Sequence, residues 1–385
     1  MIQYIRQYLP EYDFLPGTID NLQDQYQLKQ GNADFFVKVQ NHEATLAECK
    51  EDLTACPPEF PQERQNYWLI YENGTCVAIL AYLEGYPEKA TVYIGLLLVK
   101  KELHGRGIGR KINDAFMKAA HQAGYKKIRL GCYLANESGY RFWKRNRYVA
   151  EKMTEQENGG KKYPLLHMVC DITDSHMFEP EEERKTVYRA EQEADYHAAE
   201  NMVRRAFWNK YRPGCDEHYL VHCLRKDAAY VLELSRIAVV DGRIVGGIWY
   251  SKATVKTAEG EFEVLTFGPL CVEPEYQGTG VGGRLLRETM QLAKDAGYAG
   301  IIIFGEPGYY PKHGFLPCDH YGITTPDGKN FDAFMGIELS KGAFEKMRGG
   351  RFFEAKVFEM VPQESVEQFD LNFSEMEKMK LPGQW

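Results

Sequence analysis

The chain has 385 residues, enough for two or three ordinary domains. With 44% hydrophobic and 26% charged residues it has the balance of a protein that buries a core, which excludes a disordered chain. A net charge of −8 argues against a nucleic-acid partner, because such domains present a basic face that releases counterions from phosphate.

No apolar run approaches the roughly 18–20 residues of a membrane span, and IGLLLV and GIIIF have strand length. The first residues, MIQYIRQYLPEYDF, break their apolar positions with charges and a proline, unlike a signal peptide. A cytoplasmic protein without membrane contact is expected. The nine cysteines are an odd number without a CxxC pair and are read as reduced, mostly buried thiols.

In chain order, the first strong pattern is YIGLLLV at 93–99, a buried strand entering HGRGIGR at 104–110. Ile112, Ala115, Phe116, Ala119, Ala120 and Ala123 then fall at helical spacing, and Gly124 supplies a left-handed stop. Another strand follows, and Asn158-Gly159 signals a hairpin. TDSHMFEPEEERKT at 173–186 is polar, acidic and aperiodic, as a linker is. The pattern then recurs. LTFGPLCV at 265–272 enters QGTGVGG at 277–283, and Leu285, Leu286, Thr289, Met290, Ala293 and Ala296 form the helical stripe before Gly297. Asp327-Gly328 is the second hairpin signal.

The recurrence has a constant offset of 173 residues, carrying Gly105, Gly107 and Gly109 onto Gly278, Gly280 and Gly282, and Leu97 and Val99 onto Leu270 and Val272. A fixed shift of domain size means two copies of one fold rather than a solenoid. The expected organisation is an N-terminal domain over 1–172, a linker over 173–186, a C-terminal domain over 187–345 and an extension over 346–385 without counterpart in the first copy.

Each glycine loop leads into a helix, whose first N–H groups lack intrahelical partners and carry the positive end of the peptide dipoles. Glycines at alternate positions let successive N–H groups converge on one anion, so the loops are expected to hold a phosphate. Lys100, Lys101, Arg106, Arg110 and Lys111 surround the first loop against Glu102 alone. Neither loop ends in Gly-Lys-Ser/Thr, which disfavours nucleoside-triphosphate chemistry. The second fits the dinucleotide pattern G-x-G-x-x-G with Gly278, Gly280 and Gly283, but the first has Arg110 at the third glycine, leaving a Rossmann-type oxidoreductase as a distant alternative.

The order strand, [Q/R/H]-G-x-G-x-G, amphipathic helix, strand resembles the acetyl-CoA-binding motif of the GNAT N-acetyltransferase superfamily, over about 70–345 and in both copies. The resemblance implies two tandem α/β (α+β) folds, each a mixed, mostly antiparallel sheet flanked by helices, with acetyl-CoA as co-substrate, a small-molecule or protein amine as acceptor, and no metal. It places coenzyme A on Leu97, Leu98, Val99, His104, Gly105, Arg106, Gly107, Ile108, Gly109, Arg110 and Asn136 in the first copy. In the second the corresponding set is Leu270, Cys271, Val272, Gln277, Gly278, Thr279, Gly280, Val281, Gly282 and Gly283. It also makes the Val272 N–H the oxyanion donor.

GYYPKHGF at 308–315 matches the family's [F/Y]-Y-x-x-x-G-F ending, which implies that Tyr310, on a helix after the next strand, protonates the departing sulfur. In the first copy NESGYRFWKRNRY keeps Asn136 and Phe142 but has Trp143 for the tyrosine and Arg147 for the glycine. An indole N–H is no general acid, so that copy either binds coenzyme A idly, uses water, or is architectural, and the second is expected to be the catalyst. The family's basic glutamate position is Thr266 here and Tyr93 in the first copy; Glu263 is nearby, and no base is assigned. Cys215, His218 and His222 share one face of a helix capped by Asp216. They are open to three readings: zinc ligands, an amine site of Glu217, His218 and His222, or an ordinary half-buried helix. A non-catalytic acyl-CoA-binding protein with paired folds is the rival function.

Overall fold

The computed structural model describes all residues except 159, 175–177, 179–185, 360 and 385, and the chain divides into the units Met1–Glu179 and Pro180–Trp385. Most of the expected linker lies outside the described residues.

The first unit runs α1 (Ile2–Tyr8), β1 (Asp13–Pro16), α2 (Leu22–Gly31), α3 (Ala33–Gln40), α4 (Leu46–Asp52), β2 (Gln65–Glu72), β3 (Thr75–Glu84), β4 (Thr91–Val99), α5 (Ile108–Gln122), β5 (Lys127–Tyr133), α6 (Glu137–Arg145), β6 (Val149–Asn158) and β7 (Lys161–Asp171). Its sheet has the order β1-β2-β3-β4-β5-β7-β6, antiparallel except for the β4–β5 pair. One face is covered by α5, whose Ile112, Phe116, Ala119 and Ala120 are buried. The Phe116 ring meets Tyr82 of β3 edge-on at 5.1 Å. The other face packs Leu28, Phe36, Leu69, Ile79 and Leu98.

The second unit runs β8 (Val187–Arg189), α7 (Tyr196–Phe207), α8 (Glu217–Leu224), β9 (Arg236–Val240), β10 (Arg243–Thr257), β11 (Gly260–Val272), α9 (Val281–Asp295), β12 (Gly300–Phe304), β13 (Leu316–Pro317), β14 (Phe334–Glu338), β15 (Arg351–Phe353) and α10 (Gln363–Asp370). The order β8-β9-β10-β11-β12-β14-β13 repeats that of the first unit strand for strand, with β15 added on β10. Leu285, Leu286 and Ala293 of α9 close one face over Ile301 and Ile303. Met202, Val203, Val221 and Leu224 of α7 and α8 close the other over Trp249. The helical stripes read from sequence are therefore the buried faces, except at Ala123 and Ala296, which are exposed where each helix ends.

The two terminal turns differ. In the first unit β6 and β7 form a long hairpin closing at Asn158↔Lys161, with Gly159 outside the described residues. In the second, Asp327-Gly328 sits in a tight loop closed by Gly328 N–H to Thr325 O at 2.9 Å, but the flanking strand is only the two-residue β13, paired at Leu316↔Gly336 and Pro317↔Met335. The expected second hairpin is a stub, because its incoming arm, after β13, coils through a short helical turn at Cys318–Tyr321 instead of extending.

The extension is part of the second fold. β15 pairs with β10, Arg204 of α7 binds Asp370 at 2.8 Å, and Trp208 Nε1 donates to the carbonyl of Glu377 at 2.9 Å.

Candidate functional site

The central strand of each unit opens at its C-terminal end. β4 pairs with parallel β5 only from Thr91↔Lys127 to Ile94↔Leu130, and β11 meets parallel β12 only at Leu265↔Ile301. Beyond those points β5 and β12 continue on β7 and β14, so the edges carrying Leu97, Leu98 and Val99, and Leu270, Cys271 and Val272, are left facing a split. An irregularity precedes each stretch, between Ala81 and Tyr82 opposite β4 and between Ile248 and Tyr250 opposite β11. Such bulges bend a strand and increase its twist.

At the strand's end the loop is pinned by its first side chain. His104 Nε2 lies 2.9 Å from the Val99 carbonyl oxygen, and Gln277 Nε2 donates to the Val272 carbonyl at 3.1 Å. His104 and Gln277 therefore shape the loop. Gly107 and Gly280, at φ 83° and 95°, are the left-handed residues immediately before α5 and α9, a conformation that costs other residues about 1–2 kcal/mol. Intrahelical bonding starts with Lys111 N–H to Gly107 O and Arg284 N–H to Gly280 O, both 3.0 Å. Among the described residues the N–H groups of Gly105, Gly107, Ile108, Gly109 and Arg110 have no partner, nor do those of Gly278, Gly280, Val281, Gly282 and Gly283. Arg106 and Thr279 donate theirs within the loop, to Leu103 and Tyr276.

The third glycine serves packing. A Cβ on Gly109 would stand 3.3 Å from the Phe142 ring, and one on Gly282 3.4 Å from the Tyr309 hydroxyl. Sequence reasoning gave this glycine to the phosphate and missed the contact. The first loop's charges are partly matched: Lys101 lies 3.4 Å from Asp34, Arg110 3.6 Å from Asp114 and Lys111 3.4 Å from Glu11. In the second unit Glu273, 0% exposed, holds Arg205 at 2.6 Å and Arg243 at 2.9 Å and fixes the turn out of β11.

Phe142 and Tyr309 occupy equivalent places, so Trp143 stands where Tyr310 does. The next landmarks agree. Arg147 takes a left-handed φ of 74° where Gly314 takes 92°, and Trp143 packs edge-on against Tyr148 at 5.0 Å as Tyr310 does against Phe315 at 5.5 Å. Tyr310 lies in a single turn of 3-10 helix, Tyr310–His313, rather than on a longer helix, because Gly314 at φ 92° ends it after one turn. Its ring packs on Phe267 at 5.9 Å, in space that a Cβ on Gly305 would fill, 2.3 Å from the ring. Burial, and then Tyr309, Tyr211, Tyr250 and Cys271 nearby, push its phenol well above the usual range, so it keeps its proton. Asn136 is the N-cap of α6, accepting from Gly139 N–H at 3.1 Å.

On α8 the three acceptor candidates part company. His218 is fully buried, between Cys215 Sγ at 3.5 Å and Asp370 of α10, under the rings of Phe369 and Phe373. It cannot meet an acceptor, because α10, which the sequence did not reveal as a helix, covers it. His222 Nδ1 donates to a Glu200 carboxylate oxygen at 3.0 Å, beside Arg225, and its ring lies tilted against Phe369 at 4.6 Å, a structural network. Glu217 folds its carboxylate back over the start of α8, where it accepts from Asp216 N–H at 3.2 Å. Burial and then Asp216 hold its own carboxyl up to about 7. Among the described residues no group of three His, Cys, Asp or Glu side chains converges as a metal site would require.

One further carboxyl near β11 was missed. Glu354 lies against the Thr266 hydroxyl, and burial, followed by Glu359, holds it up to about 7. The signal was a lone acid within the apolar run FFEAKVF. Also among the described residues, no helix is long and apolar enough to cross a membrane, and every cysteine is a free thiol.

A model of the acetyltransferase (GNAT) family matches residues 28–147, and a model of the acetyltransferase (GNAT) domain matches residues 228–317; together they take in more than half the chain. YjhQ of Escherichia coli K12, an uncharacterized N-acetyltransferase, is 39% identical over 99 residues, 26% of this chain and 55% of the relative, so the match spans about half of that protein. YhbS of the same organism, likewise uncharacterized, is 28% identical over 162 residues, 42% of this chain and 92% of the relative. Among solved structures, YhbS from Escherichia coli in complex with CoA has a TM-score of 0.41 at 24% identity, covering 46% of this chain and 94% of that one. A GNAT acetyltransferase from Brucella melitensis in complex with acetyl-CoA has 0.37 at 25%, covering 46% and 99%.

Proposed function

Because this chain belongs to the acetyltransferase (GNAT) family, we propose that it transfers an acetyl group from acetyl-CoA to the nitrogen of a primary amine by direct attack, with the second unit as the catalyst. The observation that carries this reading is the row of unpartnered main-chain N–H groups at the start of α9, set at the foot of a strand edge that has lost its neighbour. A diphosphate suits the first and an extended pantetheine arm suits the second.

The chemistry asks for an uncharged amine, a donor for the developing oxyanion and a proton for the thiolate. Val272 N–H is the donor in this reading. Tyr310 supplies the proton, supported by its protonated state and its place beside the split; Trp143 in the first unit has no acidic proton to give. The first unit then binds coenzyme A without turning it over.

A second reading, paired folds that only bind acyl-CoA, is favoured by Trp143 and opposed by Tyr310. Thiol release from acetyl-CoA with a broad panel of amines decides between them. Release that depends on both the amine and Tyr310 supports the transferase, and saturable acetyl-CoA binding with no release against any amine supports the binding protein.

A further inference from the structure

The extension brings a carboxyl to the open strand of the second unit. β15 pairs with β10 through Thr254↔Phe353, and the next residue, Glu354, places its side chain against the Thr266 hydroxyl on β11. Thr266 is 1% exposed, and among the described residues its hydroxyl has no partner of good hydrogen-bond geometry. A buried hydroxyl left in that state is destabilising, and a ligand or bound water completing the set would relieve it. The extension is held there by Phe358, whose ring would stand 3.2 Å from a Cβ on Gly268.

Thr266 is the first residue past the Leu265↔Ile301 pairing, at the mouth of the split. Successive strand residues point to opposite faces, so Phe267 carries Tyr310 on one face while Thr266 carries Glu354 on the other. A thioester lying in the split is reached from both sides, by the acid on the first and by an amine beside the carboxyl on the second.

Resting on the transferase reading, we propose that Glu354 is the base that takes a proton from the acceptor's ammonium in the second unit. The N–H bond breaks, the proton passes to a Glu354 oxygen, and the freed nitrogen pair attacks the thioester carbonyl carbon. As the tetrahedral adduct collapses the C–S bond breaks, sulfur takes the Tyr310 proton, and Tyr310 regains one from the new amide nitrogen. The proton on Glu354 goes to solvent, so the products are amide, coenzyme A thiol and one proton.

The surroundings suit this role. Glu354 forms no ion pair among the described residues. Its charged neighbour within the extension is Glu359, Lys252 of β10 is engaged by Glu263 at 3.1 Å, and Glu217 of α8 accepts from Asp216 N–H at 3.2 Å. A carboxyl held near neutrality is matched to proton transfer at neutral pH. The first unit has Tyr93 where the second has Thr266, and no counterpart of Glu354.

The test is the pH dependence of kcat/KM for the intact chain and for Glu354→Gln, with ethylamine and whichever panel amine releases most thiol as acceptors. The expected result is a loss of about 10²-fold or more at neutral pH that shrinks as the pH approaches the amine's own range, with acetyl-CoA affinity unchanged. A loss that is the same at every pH, or lost acetyl-CoA binding, means a structural role and overturns the assignment, as does a silent substitution in an active chain. If the unaltered chain itself releases no thiol with any amine, the transferase reading fails instead, and the two failures are told apart by that control.

Discussion

His104 Nε2 lies 2.9 Å from the carbonyl oxygen of Val99, and since a carbonyl can only accept, the ring donates from Nε2. Gln277 makes the same contact to Val272 with an amide. Two chemically different side chains doing one task show that the first motif position closes the loop onto its strand. A net hydrogen bond of this kind contributes about 0.5–1.5 kcal/mol. Gln277→Ala should therefore weaken acetyl-CoA binding at the second site by about 3- to 10-fold and leave turnover at saturation nearly unchanged. Calorimetric titration with acetyl-CoA checks this, and unaltered affinity would remove the contact from the loop's design.

Gly280 adopts φ 95°, and a Cβ added there would meet nothing within 4 Å. The cost of Gly280→Ala is therefore backbone strain of about 1–2 kcal/mol rather than crowding, and relief of that strain rotates the N–H groups away from the anion. Acetyl-CoA should bind at least about tenfold more weakly to the second unit. With Gly107→Ala, where φ is 83°, the first unit should lose its ligand in the same way. Each single variant should leave one site at the parent affinity and one weakened site, and the double variant two weakened sites. A stoichiometry of one in the unaltered chain would refute coenzyme binding by one unit.

Tyr310→Phe keeps the ring that packs on Phe267 and Phe315 and removes only the hydroxyl, which among the described residues makes no hydrogen bond. Thermal stability and acetyl-CoA affinity should stay close to the parent values. Turnover should drop by about 10²-fold or more, the usual share of a general acid. Because burial pushes the phenol up, no alkaline loss of rate should be assignable to it in the parent enzyme. Steady-state kinetics of thiol release measure both points.

The parts of this architecture set by local chemistry could be read from residues in sequence. The glycines of the two loops, the buried strands before them and the stripes of α5 and α9 carry their reasons within a few positions, and the 173-residue offset exposed the duplication. The parts set by long-range packing could not. His218 and Phe369 are far apart in sequence, and only the fold of the extension turns a histidine on an amphipathic helix into a covered one. Glu354 reaches Thr266 for the same reason. The second hairpin misled because Asp-Gly specifies a turn and says nothing of whether both arms extend.

The burial of His218 under α10 gives the second unit an acid sensitivity. Desolvation lowers its value to about 4, opposed mainly by Asp370. That lies below the ordinary value of about 6.5, so the unfolded state binds more protons across this window. Stability present above about pH 6.5 is lost as the pH falls toward 4. Glu217 and Glu354, held up to about 7, act in the opposite sense and lose stability as the pH rises. Comparison with His218→Gln isolates the histidine. Between pH 7 and pH 5 the parent should lose about 2 kcal/mol more than the variant, read from urea unfolding followed by hydrogen exchange in α8. Parallel losses in the two proteins would mean that His218 protonates in the folded chain as readily as in the unfolded one.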